Sequence, residues 1–143
     1  MCVTCAVMKF FFGLSGFVVA VASASISSAA DWYRWRGPDL NGISEETGWL
    51  ANWPADGPKQ MWKTSVGIGF SSVAVSQGRV YTLGHARNND TNNDTIFCFD
   101  AKTGEPIWKF SYVAKLDPKY YEGGPSATPT VDGDRVYTFG KRG

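Results

Sequence analysis

A short pattern occurs twice in this chain. Val73–Gly84 reads VAVSQGRVYTLG, and Pro129–Gly140 reads PTVDGDRVYTFG. Arg79-Val80-Tyr81-Thr82 equals Arg135-Val136-Tyr137-Thr138, an offset of 56 residues. A second pair, Trp62-Lys63 and Trp108-Lys109, is offset by 46. The difference of 10 means that the second unit carries an insertion, and Leu116–Gly124 fills that place. Repeated units of this size cannot bury their faces alone and must stack on one another.

Each unit reads as all-β. Gln60–Thr64 looks like a strand led by Trp62, and Gly67-Ile68-Gly69 breaks it. Phe70–Val75 and Arg79–Gly84 follow as strands around the turn Ser76-Gln77-Gly78, the second with alternating apolar residues. Asn88–Asn93 reads as an Asx-rich loop before the next strand. Ile96-Phe97-Cys98-Phe99 suits a buried strand, because β-branched and aromatic residues fit a pleated surface. Asp100–Gly104 is a turn: Asp100 and Thr103 can bond nearby backbone N–H groups, and Gly104 can take a positive φ. Ile107-Trp108-Lys109-Phe110 then restarts an extended pattern, which completes a hairpin. Periods of about 40–50 residues with several short strands each point to a β-propeller of four-stranded antiparallel blades. About one and a half blades are present.

The hairpin resembles the tryptophan-docking motif of the pyrroloquinoline-quinone (PQQ) type propeller repeat, roughly Ala-x-Asp-x-x-Thr-Gly-x-x-x-Trp. Asp100, Thr103, Gly104 and Trp108 match at that spacing, and Cys98 stands in the place of the Ala. The resemblance implies that the Trp stacks between neighbouring blades while Asp and Thr fix the turn. It also implies a ring of about seven or eight blades, so the chain reads as the N-terminal piece of a longer propeller.

Residues 1–30 look like an export signal. Lys9 supplies the positive end, Phe10–Ala22 the apolar stretch, and Ser28-Ala29-Ala30 the small residues before a cleavage point. The apolar stretch is short of the roughly 20 residues that a membrane span needs, so no span is expected after cleavage. Met8 is the alternative start to Met1. Cys2 and Cys5 form a C-x-x-C within the removed segment, which leaves Cys98 as the mature thiol, expected to be buried and structural. After Ala30 the chain holds all 13 acidic residues and 13 of the 14 basic ones, so its charge balances. No basic run argues for nucleic acid.

Residues 31–58 form a leader rich in Gly, Pro, Asn and Asp, with Trp32, Trp35, Trp49 and Trp53. Such a segment is expected to drape over a core with its indoles as anchors, in preference to a ligand-stacking strip. Its opening, W-x-x-W-R-G-P-D-x-N-G-I, resembles the leader of exported PQQ-like propeller proteins. Propeller repeats occupy residues 59–143.

Catalytic chemistry is sparse. Asp90, Asn92 and Asp94 have the 1-3-5 spacing of a calcium loop, but Thr95 stands where that loop needs Gly and Ala101 where it needs Glu. Asn89 and Asn93 open N-D-T triplets that are glycosylation sequons in form. His85, the single histidine, reads as a solvated loop residue. Tyr120, Tyr121 and Glu122 precede the first strand of the second unit, and the resemblance puts Tyr121 and Glu122 near the channel mouth as candidate cofactor contacts. Two functions follow. One is an exported, periplasmic or secreted scaffold that binds proteins, peptides or a small ligand in the channel, with no cofactor. The resemblance includes the lipoprotein subunit of the outer-membrane β-barrel assembly machinery, although Asp31 stands where its lipidated cysteine would be. The other is a PQQ-dependent oxidoreductase of the alcohol or sugar dehydrogenase type. The resemblance implies that such an enzyme holds PQQ and calcium and carries adjacent cysteines, which this chain lacks.

Overall fold

A computed structural model describes residues 30–88 and 91–141. The proposed signal before Ala30, with Cys2, Cys5, Met8 and Lys9, lies outside the described residues, as do Asn89 and Asp90. The fold is all-β. The strands are β1 (Ala74–Ser76), β2 (Arg79–Asn88), β3 (Thr91–Asp100), β4 (Pro106–Val113), β5 (Thr130–Asp132) and β6 (Arg135–Tyr137). β1 to β4 form one antiparallel sheet in sequence order, and β5 pairs with β6 in a second. No described helix is long and apolar enough to cross a membrane.

Turn chemistry explains the order. β1 and β2 are joined by Gln77 and Gly78, both at positive φ (51° and 71°). Such two-residue turns match the right-handed twist of the flanking strands. β5 and β6 repeat the hairpin around Gly133 at φ 59°. The β2–β3 ladder runs without interruption from Arg79↔Asp100 to Asn88↔Thr91. This corrects the expected Asx-rich loop: Asn92 and Asn93 belong to β3, and only two residues separate the strands. Ladder pairing outweighs the turn preference of isolated Asn and Asp residues. Between β3 and β4 the register shifts at Cys98/Phe99, leaving Ile107 as the extra residue.

Two further expectations change. Gln60–Thr64 is not a strand, and of Phe70–Val75 only the last residues join β1. The chain still follows the edge of β2, where Ile68 exchanges both backbone hydrogen bonds with His85 (3.0 and 2.7 Å). It passes so close that a Cβ on Gly84 would lie 1.7 Å from the Val66 carbonyl oxygen.

One face of the large sheet receives the β5–β6 hairpin. Ala74, Tyr81 and Cys98 lie in one cross-strand row and form a buried cluster with Val131, flanked by Tyr33 and Val136. The two repeat units touch at equivalent positions. Ser71 Oγ donates to the Ala127 carbonyl (2.8 Å), and the hydroxyls of Ser72 and Thr128 share a hydrogen bond (2.8 Å); each pair is 56 residues apart. The leader straddles the same joint. The N–H groups of Val75 and Val131, again 56 apart, donate to the carbonyls of Trp32 (2.9 Å) and Tyr33 (2.8 Å). Asp31 adds a carboxylate that accepts from Ser76 Oγ (2.9 Å) and from the Gln77 N–H. Anchoring through the indoles is limited to Trp32, whose ring covers Gly37 so closely that a Cβ there would lie 2.7 Å away. Trp35, Trp49 and Trp53 are exposed, Trp49 at 75%.

Candidate functional site

Two constellations sit at opposite ends of β3. The first is the turn between β3 and β4. Oδ1 of Asp100 accepts from the N–H groups of Lys102 (2.9 Å) and Thr103 (2.8 Å) and from the Thr103 hydroxyl (3.1 Å). Thr103 Oγ1 in turn accepts from the Glu105 N–H. These backbone donors, Thr103 first, hold the Asp100 carboxyl below the usual carboxylate range. Gly104 closes the turn at φ 73°. A Cβ there would lie 2.5 Å from Trp62 Cδ2, because the Trp62 ring lies on this glycine. Trp62 Nε1 also donates to the Ala101 carbonyl (2.9 Å). The indole that covers the turn is therefore Trp62, the repeat equivalent of Trp108. Trp108 lies elsewhere, beside Tyr81 (6.1 Å between centroids) in a hollow shared with Val131 and Val136, and is 36% exposed.

The second constellation is a row of polar side chains on neighbouring strands. The register pairs His85 with Asp94 and Asp94 with Tyr112. His85 Nδ1 lies 2.8 Å from Asp94 Oδ1, with the side chains 0% and 5% exposed. His85 is thus a buried strand residue and not a solvated loop residue. Asp94, third in the failed calcium spacing, is held by histidine. A carboxylate against Nδ1 fixes the orientation of the imidazole ring. Nε2 is buried without a hydrogen-bond partner, and the Tyr112 hydroxyl is buried beside the Asp94 carboxylate. Burial first, and the Asp94 carboxylate second, push the Tyr112 phenol up, so it stays a neutral donor around pH 7.

A cavity of about 110 Å³ adjoins this row, lined by Asp94, Tyr112, Lys115, Gly124, Gly140 and Lys141, among others. Gly124, Gly140 and Lys141 also line a second hollow of about 230 Å³, which reaches Tyr121, Pro125 and Phe139. The two form one cleft, and the insertion Leu116–Gly124 frames it. Asp117, within that insertion, receives Lys141 Nζ on its carboxylate (2.9 Å) and its carbonyl (3.0 Å).

Of the candidates read from sequence, Tyr121 lines this cleft, with its ring edge-on to Phe70 (5.0 Å, 83°). Glu122 is exposed. Cys98 is buried and free, and burial raises its thiol pKa. Among the described residues no three His, Cys, Asp or Glu side chains converge as a metal site would require. Sequence reasoning missed the His85–Asp94–Tyr112 row. The available signal was symmetry: His85 and Asp94 lie equally far in sequence from positions 89–90, between β2 and β3, and the register pairs them. No protein-family model, curated protein or solved structure matches the chain.

Proposed function

We propose that this chain is part of an exported β-propeller of PQQ-like repeats that acts as a binding scaffold. The observation that carries the reading is contact between positions 56 residues apart, at Ser71/Ala127 and Ser72/Thr128. In units arranged around a common axis, equivalent positions meet near that axis, while the faces of neighbouring units meet through unlike residues, as Tyr81 and Trp108 do with Val131 and Val136. The four-stranded meander β1–β4 has the form of one blade, and β5–β6 that of the first half of the next. The indole of Trp62 on Gly104, above an Asp-x-x-Thr-Gly turn, supports the same reading. The assignment as scaffold follows from a cleft with aromatic and charged walls.

The test is to add PQQ and calcium to the purified protein and follow quinone absorbance, then dye reduction with alcohols and sugars. A scaffold leaves the absorbance unchanged and reduces no dye. Saturable quinone uptake together with dye reduction overturns the scaffold reading in favour of a quinone-dependent dehydrogenase.

A further inference from the structure

We propose that Asp31–Tyr33 is a releasable strap, one body that holds the first strands of both repeat units by their free edges, with the Asp31 carboxylate as its latch. Ser76↔Arg79 closes the first two-residue hairpin as a bonded pair. The next pair, Val75↔Val80, therefore turns its backbone groups outward, because bonded and non-bonded pairs alternate along an antiparallel ladder. Asp132↔Arg135 and Val131↔Val136 repeat this in the second unit. The N–H groups of Val75 and Val131 thus stand on free strand edges, which left open are templates for pairing with another chain. The leader takes both: Trp32 accepts from Val75 (2.9 Å) and Tyr33 from Val131 (2.8 Å).

Covalent geometry makes the two contacts move together. Peptide units are planar, so only φ and ψ of Tyr33 separate its carbonyl from that of Trp32. The Tyr33 side chain packs against the cluster of Ala74, Tyr81, Cys98 and Val131, which draws on both units and holds that residue in place. A displacement that takes one carbonyl off its strand therefore takes the other with it. The loop that follows adds stiffness: Gly37 N–H donates to the Arg34 carbonyl (3.0 Å) and Gly42 N–H to the Arg36 carbonyl (2.9 Å). The latch sits at the other end and reaches the first unit. Oδ2 of Asp31 accepts from Ser76 Oγ (2.9 Å), and Oδ1 accepts from the N–H of Gln77 (3.0 Å), the turn residue at φ 51°. Asp31 is itself exposed, so water can replace these bonds and the latch can open without unfolding the sheet.

The experiment follows amide hydrogen exchange by NMR in the full chain, wild type against Asp31→Ala. Asp31 bonds to the first unit, yet a strap that moves as one body also releases Val131 in the second. The Val75 and Val131 amides are both expected to exchange about tenfold faster, by a common factor, for the loss of the latch bonds. Amides of the β2–β3 ladder are expected to keep their wild-type rates, because the sheet stays folded while the strap opens. Asp31→Asn keeps an acceptor oxygen and is expected to speed both amides less than Asp31→Ala does. Acceleration of Val75 alone would show two independent clips in place of one strap. Parallel acceleration of the ladder amides would show a leader inseparable from the fold, and unchanged rates at both valines would remove Asp31 as the latch. Each of these three results overturns the strap.

Discussion

Asp94 and Asp100 lie six residues apart on β3, on the same face of one sheet, yet their carboxylates are held in opposite ways. Asp100 is held locally. Its three donors belong to Lys102 and Thr103, inside the turn that Asp100 itself opens. Asp94 is held at a distance in sequence. It sits in the interior, and its partner is His85 on the neighbouring strand. A local cap forms with its turn and can exchange its bonds for water when broken. A buried pair has no such exchange, so losing one partner strands the other. The comparison teaches that the same side chain serves as a turn former or as an interior anchor according to the strand opposite it.

The largest expected effect therefore comes from Asp94. Asp94→Ala leaves the His85 ring buried without its acceptor and should destabilise the fold by about 3–5 kcal/mol. Asp94→Asn keeps an oxygen for Nδ1–H and should cost about 1–2 kcal/mol. Urea denaturation of both variants against wild type measures the pair. If Asp94→Ala lost less than about 1 kcal/mol, the range of exposed pairs, the contrast between the two ends of β3 would collapse.

The same contrast explains what could be read from the sequence. The Asp100–Gly104 turn was legible because the side-chain bonds of Asp100 and Thr103 span at most three residues and each of those residue types has a local reason to be there. The repeated Arg-Val-Tyr strands were legible because alternation and a turn pattern recur. The His85–Asp94–Tyr112 row was not, since His85 and Asp94 look polar and loop-like until the register sets them beside each other and beside Tyr112. The extent of β2 and β3 was hidden for the same reason: Asn and Asp favour turns in isolation, and ten paired residues on each strand override that preference. The leader was legible only in part. Trp32 lies over Gly37, but nothing local distinguishes it from Trp49 or Trp53, which stand in solvent. Trp62, which has no docking motif before it, gave no local sign that its ring would fill the space above Gly104.

A second test separates what the local turn owes to its own backbone from what it owes to Trp62. Gly104 and Gly78 have nearly the same conformation, with φ 73° and 71°. A side chain on Gly78 meets nothing within 4 Å, whereas one on Gly104 meets the Trp62 ring at 2.5 Å. Gly78→Ala should cost about 1 kcal/mol, the left-handed penalty alone. Gly104→Ala should cost about 2–3 kcal/mol, because displacement of the indole is added. A red shift of tryptophan emission is expected in Gly104→Ala only. Equal losses in the two variants would show that Trp62 contributes nothing to this turn.

The smallest expected effect concerns acid. The Asp100 carboxyl titrates below its usual value of 3.8 because Thr103 and Lys102 backbone donors favour its charged form. The sign follows from linkage: the unfolded chain binds this proton more readily than the folded one. Stability from Asp100 is therefore complete above the unfolded value and is lost as pH falls through the lowered folded value. Asp100→Asn keeps an acceptor for the same donors but does not titrate. Near neutral pH the variant should stay close to wild type, with a smaller loss than Gly104→Ala. Below about pH 4, the ordinary carboxylate range, the wild type should lose stability relative to the variant and the two curves should converge or cross. Subtracting one curve from the other removes the remaining carboxylates, which both proteins share. Curves that stay parallel through the acid range would mean that the turn bonds a protonated and an ionised Asp100 equally well. The two ends of β3 would then differ in burial alone and not in the chemistry that holds their carboxylates.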